Sequence, residues 1–172
     1  MTAVASRRAL FARFRGGPPQ LRPPWAIADE IFVERCTRCS KCIEACPAKI
    51  LTSGHGGFPI INFAKDHCTF CRACADACEA GCFAPSTAPA WDLRAAISNA
   101  CIEAKGVTCR MCGETCDVSA IRFKPRLGGG TTVSVSLPEC SGCGACVSVC
   151  PVRAISIVPT PQSSNQTAEA PT

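Results

Sequence analysis

A chain of 172 residues holds 17 cysteines, close to one residue in ten, but only 8 Phe, 2 Trp and no Tyr, so side-chain packing alone makes a thin core for this length. The formal charge is +5, all of it ahead of residue 26: residues 1–25 carry five arginines and no acid, and residues 26–172 carry 13 basic and 13 acidic side chains. A body balanced in this way lacks the basic patch with interleaved aromatics that nucleic-acid binding needs, and no run approaches the roughly 18 apolar residues of a membrane span, so neither nucleic acid nor a membrane span is expected.

Residues 1–28 read as a basic arm. Its longest uncharged apolar run, Ala9-Leu10-Phe11-Ala12, is shorter than the roughly 7–15 residues of a signal peptide. Ser6-Arg7-Arg8 is like a twin-arginine signal without the apolar stretch behind it. A cytoplasmic location is expected, where thiols stay reduced or bind metal, and the odd cysteine count fits poorly with a closed set of disulfides. Leu10, Phe11 and Phe14 fall at helical spacing among the arginines. Residues 1–25 are therefore either a solvated tail or a docking arm that forms a short amphipathic helix on a partner.

After the arm, Glu30-Ile31-Phe32-Val33-Glu34 alternates toward a strand. The first cysteine unit follows: Cys36, Cys39, Cys42 and Cys46, spaced C-x2-C-x2-C-x3-C and ending in Pro47. The turn Gly54-His55-Gly56-Gly57 leads to a strand over Phe58–Phe63. The second unit, Cys68, Cys71, Cys74 and Cys78, has Glu79 in the proline's place. Together these define a first module over residues 29–82. Residues 83–100 read as a linker, with a helical turn or more between Ala90 and Ala100, after Pro89.

A second module over 101–158 opens with an irregular unit, Cys101, Cys109, Cys112 and Cys116, spaced C-x7-C-x2-C-x3-C. Strands are predicted at Ala120–Phe123 and Val133–Leu137. The fourth unit, Cys140, Cys143, Cys146 and Cys150, is regular and is followed by Pro151; a strand over Ala154–Val158 leaves it. The tail 159–172, rich in Pro, Ser, Thr and Gln, is expected to be disordered. Short strands and helices around cysteine loops describe an α+β fold, two tandem bacterial-type ferredoxin modules, each with pseudo-twofold symmetry.

The spacing has a chemical reason. A cubane [4Fe–4S] cluster has four iron corners, each needing a thiolate. Two-residue gaps wrap three corners of one cube in a single loop, while the fourth cysteine, past a turn, reaches the neighbouring cluster. Cys36, Cys39 and Cys42 then share a cluster with Cys78, and Cys68, Cys71 and Cys74 share one with Cys46. Likewise Cys140, Cys143 and Cys146 pair with Cys116, and Cys101, Cys109 and Cys112 with Cys150. Four clusters and 16 iron ligands are expected from the 17 cysteines. Zinc competes, but structural zinc usually takes its four ligands as separated pairs, and three thiolates packed into one loop depart from that spacing.

Cys82 is left over and reads as a buried free thiol. Each cluster with its thiolates carries about 2−, which takes the formal +5 to about −3. His55, in the glycine turn, and His67, beside Cys68, read as ordinary loop residues, with tuning of a cluster potential as the sharper alternative. Trp25 and Trp91 read as covers. No catalytic constellation appears, so one-electron transfer, not enzymatic turnover, is the expected chemistry.

Ser6-Arg7-Arg8, Arg22-Pro23-Pro24-Trp25 and four cysteine units with an irregular third, Cys109-Arg110-Met111-Cys112-Gly113 leading to Ala120-Ile121-Arg122-Phe123, resemble the NapF family of ferredoxin-type proteins. The resemblance runs from about residue 6 to 158 and departs from the family pattern at Glu79 and Cys82. It implies a cytoplasmic iron–sulfur protein that interacts with the precursor of the catalytic subunit of periplasmic nitrate reductase and assists its maturation before export, by one-electron transfer or iron–sulfur supply. Residues 1–25 are the candidate contact. An electron-transfer subunit or free carrier for another oxidoreductase is the alternative.

Overall fold

The computed structural model describes residues 20–127 and 130–160; residues 1–19 of the expected arm and 161–172 of the expected tail lie outside them. The chain enters at Gln20 already packed on the body, since the Leu21 carbonyl accepts the Ile61 amide at 2.8 Å. Trp25 is pinned to the segment after the second cysteine unit: Ala84 N–H donates to the Trp25 carbonyl at 2.7 Å, and the Trp25 indole N–H donates to the Ala88 carbonyl at 3.1 Å. Residues 20–28 therefore belong to the body and not to the arm.

The first element is a helix, α1 (Asp29–Arg35), where alternation predicts a strand. A strand would have put Ile31 and Val33 on the buried face. Instead Phe32 is buried, at 1% exposure, while Ile31 and Val33 are exposed. Asp29 and Glu30 in the first turn and Arg35 in the last suit the helix dipole. The Phe32 ring meets Phe83 edge-on at 6.1 Å, and the Arg22 guanidinium lies 5.1 Å from its centroid. Tertiary packing of one aromatic ring decides the conformation over a weak local alternation.

The first half continues with α2 (Lys41–Ala45), β1 (Leu51–Ser53), a 3-10 turn over His55–Gly57 and β2 (Pro59–Ile61), then α3 (Ala73–Asp76). β1 and β2 pair antiparallel, with Leu51 opposite Ile61. The second half holds β3 (Leu93–Ile97), a 3-10 turn over Glu103–Lys105, α4 (Met111–Glu114), β4 (Ile121–Pro125), β5 (Thr131–Val135), α5 (Ala145–Ser148) and β6 (Ile155–Pro159). β4 pairs antiparallel with β5, Ile121 opposite Val135.

β3 corrects the expected linker helix at 90–100. It is a strand because Leu93 and Ala95 alternate into the core and pair with β6, Leu93 opposite Pro159 and Ile97 opposite Ile155. A five-residue strand with a long-range partner stands where the local pattern predicts a helix. The first half keeps a remnant of the same pairing in a single antiparallel bridge, Ala26 to Phe83. One buried cluster runs through both halves, with Ile50, Leu51 and Phe63 from the first and Leu93, Ile121 and Ile155 from the second. Cys46, Cys74, Cys112 and Cys146 belong to it, so thiols take up volume that hydrocarbon fills in most domains.

Candidate iron–sulfur centres

The three regular cysteine units share one backbone path. The second and fourth residues after the first cysteine take positive φ in each: Arg38 at 57° and Ser40 at 64°, Phe70 at 54° and Arg72 at 66°, Gly142 at 71° and Gly144 at 88°. Left-handed residues alternating along a loop turn successive N–H groups inward and form a concavity for an anion. Each left-handed L-residue costs roughly 1–2 kcal/mol. The second one caps a short helix in every unit, α2 after Ser40, α3 after Arg72 and α5 after Gly144. The third cysteine of each unit thus sits in the first helical turn.

The irregular unit reaches a similar end by another route. Cys112 lies on α4, but Arg110 before it has φ −118°. Glu103, in the loop between Cys101 and Cys109, is the sole buried charged side chain among the described residues, 5% exposed. Its carboxylate accepts the Cys109 N–H at 2.5 Å and faces the Arg110 guanidinium at 3.6 Å. That amide first, and then the Thr131 hydroxyl, hold the Glu103 carboxyl below the usual carboxylate range. Arg110 in turn covers the Phe123 ring at 4.4 Å. Sequence reasoning missed Glu103; the available signal was an acid inside the seven-residue gap of the one irregular unit.

The fourth cysteines share a turn as well. Three residues after each, the chain takes positive φ: Lys49 at 51°, Gly81 at 65°, Ser119 at 49° and Arg153 at 51°. The next residue is then driven into the core, with Ile50 2%, Cys82 1%, Ala120 1% and Ala154 3% exposed. Cys82 therefore stands where the other units have isoleucine or alanine. Burial, then the Cys78 thiol beside it, pushes its thiol up to about 12. Glu79, in the proline's place, is at the surface and pairs with Lys41 at 2.6 Å.

Four concavities gather the cysteines. The first is lined by Cys36, Cys39, Cys42 and Cys78, with Cys82 also at its wall. The second is lined by Cys46, Cys68, Cys71 and Cys74, with Trp25 and Arg72. Another holds Cys101, Cys109, Cys112 and Cys150, and the last Cys116, Cys140, Cys143 and Cys146. Their volumes, open mouths included, are alike at about 390, 350, 360 and 330 Å³. His55 and His67 line none of the four; His67 Nδ1 lies 2.8 Å from Asp66. Trp91 lies outside them, its indole N–H on the Ser141 carbonyl at 2.8 Å.

The donor chemistry fits an anionic group with several corners. Among the described residues no three His, Cys, Asp or Glu side chains converge as one ion would require, whereas four thiols surround each concavity. Backbone amides aim at sulfur: Ala120 N–H at Cys116 Sγ (3.3 Å), Ala154 N–H at Cys150 Sγ (3.2 Å), Phe70 N–H at Cys68 Sγ (3.4 Å) and Ala95 N–H at Cys140 Sγ (3.5 Å). Such bonds favour thiolate over thiol. Arg72 Nη1 is buried without a hydrogen-bond partner among the described residues. A buried unpaired guanidinium donor is costly, and a cluster sulfur in the concavity that Arg72 lines would satisfy it. Burial first, and then the neighbouring cysteines, push the thiols up, Cys42 and Cys68 to about 11 and Cys74 and Cys146 to about 12. Metal binding must displace those protons.

These features define a ferredoxin-type iron–sulfur protein. Two family models described as "4Fe-4S dicluster domain" match residues 35–83 and 105–154, and the chain carries multiple [4Fe–4S] clusters. "Ferredoxin-type protein NapF" of Escherichia coli K12 is 43% identical over 156 residues, 90% of this chain and 95% of the relative. The Haemophilus influenzae NapF is 45% identical over 137 residues, 80% and 78% of the two chains. "Methylamine utilization ferredoxin-type protein MauM" of Methylobacillus flagellatus is 30% identical over 149 residues, 76% of this chain and 63% of the relative. The chain belongs to the NapF family of ferredoxin-type proteins, iron–sulfur proteins of the electron-transfer type. No helix among the described residues is long and apolar enough to cross a membrane.

Proposed function

We propose that this protein is a cytoplasmic four-cluster electron carrier that serves the precursor of the periplasmic nitrate reductase catalytic subunit before export. The observation that carries the cluster count is the grouping of 16 cysteines into four concavities, each taking three thiols from one unit and one from the other unit of the same half. When bound, a [4Fe–4S] cluster takes up and releases one electron at a time. The chain's part is to supply thiolates, hold them with inward N–H groups and keep the sites half-buried. The precursor as partner rests on the NapF resemblance and on the basic segment ahead of the body, residues 1–19, with its four arginines.

Anaerobically purified protein is expected to carry about 16 iron and 16 acid-labile sulfides. About 12 would remove the irregular unit's site, and stoichiometric zinc with little sulfide would overturn the reading altogether. A pull-down with the signal-bearing precursor and with the mature reductase tests the partner: precursor capture that falls on deletion of residues 1–19 supports maturation. Equal capture of both forms, or of neither, favours a general electron carrier.

A further inference from the structure

The order of the four sites in space differs from their order in the sequence. α2, carrying Cys42, packs on α3, carrying Cys74; α4, carrying Cys112, packs on α5, carrying Cys146. Each half thus sets its two concavities back to back across a helix pair. Between the halves, the Cys68 amide donates directly to the Cys143 carbonyl at 2.8 Å. Cys68 lines the second concavity and Cys143 the one shared with Cys116.

The contact is built and not incidental. Phe63 of the first half meets Trp91 edge-on at 6.3 Å, and Phe70, in the second unit's loop, meets Trp91 at 5.4 Å. Trp91 holds the fourth unit's loop through Ser141. Gly144 makes the closest approach: a Cβ there would collide with the Phe63 ring. Its φ does not by itself demand glycine, because Ser40 and Arg72 adopt the same left-handed conformation at the matching positions of the first two units. The Phe63 ring demands it.

We propose that the sites form a single file, the Cys36 set, the Cys68 set, the Cys140 set and then the Cys101 set, and that Gly144 and Phe63 hold the Cys68–Cys143 junction closed so that one electron passes between the halves. This rests on the four-cluster reading above. At the junction one electron leaves the reduced inner site of one half and enters the oxidised inner site of the other; no bond forms or breaks. The outer members of the file, the Cys36 and Cys101 sets, are the ends at which electrons enter and leave.

The test compares the dithionite-reduced full chain with Gly144→Ser, which installs the residue the first unit has at this position. The control is Gly130→Ser, at φ 80° with none of the described residues within 4 Å of an added Cβ. Iron is counted in each protein, and EPR line shape and power saturation report magnetic interaction between neighbouring reduced sites. Gly144→Ser should retain its iron and lose the part of the interaction that crosses the junction, leaving two independent pairs. Gly130→Ser should match the parent, and Phe63→Leu added to Gly144→Ser should restore the interaction by making room. An unchanged interaction spectrum in iron-replete Gly144→Ser overturns the proposal. So does selective iron loss from the Cys140 set, which would make the glycine a ligand-loop requirement alone. A parent protein with clearly fewer than about 16 iron overturns the file together with the four-cluster reading, and is told apart because it shows without any substitution.

Discussion

Replacing Arg72 by glutamine should lower the reduction potential of one cluster while leaving all of them in place. The guanidinium is held on three sides: Nη2 donates to the Ala84 carbonyl at 2.7 Å, Nε faces Asp76 at 3.4 Å, and the group lies 5.1 Å from the centroid of the Trp25 ring. Only Nη1 is left buried and unpaired. A charge-assisted hydrogen bond contributes about 1.5–3 kcal/mol. Reduction takes a cluster with its thiolates from about 2− to 3−, so roughly a third to a half of that energy favours the reduced form, about 0.5–1.5 kcal/mol. Converted for one electron, this is a midpoint lower by about 20–65 mV. Asp76 is largely exposed, so its opposing charge is screened and trims the shift only modestly. Redox titration followed by EPR resolves the shifted cluster, and Arg72→Lys, which keeps the charge but loses the planar fork, should fall between. Iron-replete Arg72→Gln with every midpoint unchanged would show that Nη1 faces no cluster.

Two further substitutions probe the ligand loops. Cys82→Ala should leave iron and the reduced EPR spectrum unchanged, because the site is equivalent to those of Ala120 and Ala154, whereas Cys78→Ala should disturb the cluster in the Cys36 concavity; the reverse pattern would assign the ligand to Cys82. Glu103→Ala should strip the Cys109 amide of its acceptor, read as earlier iron loss from the Cys101 set on heating. Because its partners lower the Glu103 pKa, the ionised form stabilises the fold; that contribution is complete above the ordinary glutamate value and disappears as pH falls through the lowered one. The parent's advantage over Glu103→Ala should therefore shrink only below about pH 4.

The cysteine units were legible because ligand spacing is a local property: three thiols wrapped by one loop need fixed gaps, whatever the rest of the chain does. The strands over Pro59–Ile61, Ile121–Pro125, Thr131–Val135 and Ile155–Pro159 were legible in the same way, with ends displaced by one or two residues. Where local pattern and long-range packing disagreed, packing won. Asp29–Arg35 is helical because Phe32 must reach Phe83 and Arg22, and Leu93–Ile97 is a strand because β6 lies alongside it, more than 50 residues on. Cys82 is left over by the spacing and reads as buried, and the turn at Gly81 supplies the physical reason by driving the next residue into the core.

The sequence by itself determined the kind of chemistry: a thiol count and periodicity that suit [4Fe–4S] clusters, and a family to which the chain belongs. Tertiary structure alone decided what surrounds each thiol and which sites are neighbours. Glu103 beneath Cys109, Arg72 on the Ala84 carbonyl and Gly144 against Phe63 are contacts between residues 6, 12 or 81 positions apart. No local periodicity encodes them, because a short-range pattern constrains only which way a side chain faces, while the identity of what it meets is set by tertiary packing, within one half for Glu103 and Arg72 and between the halves for Gly144.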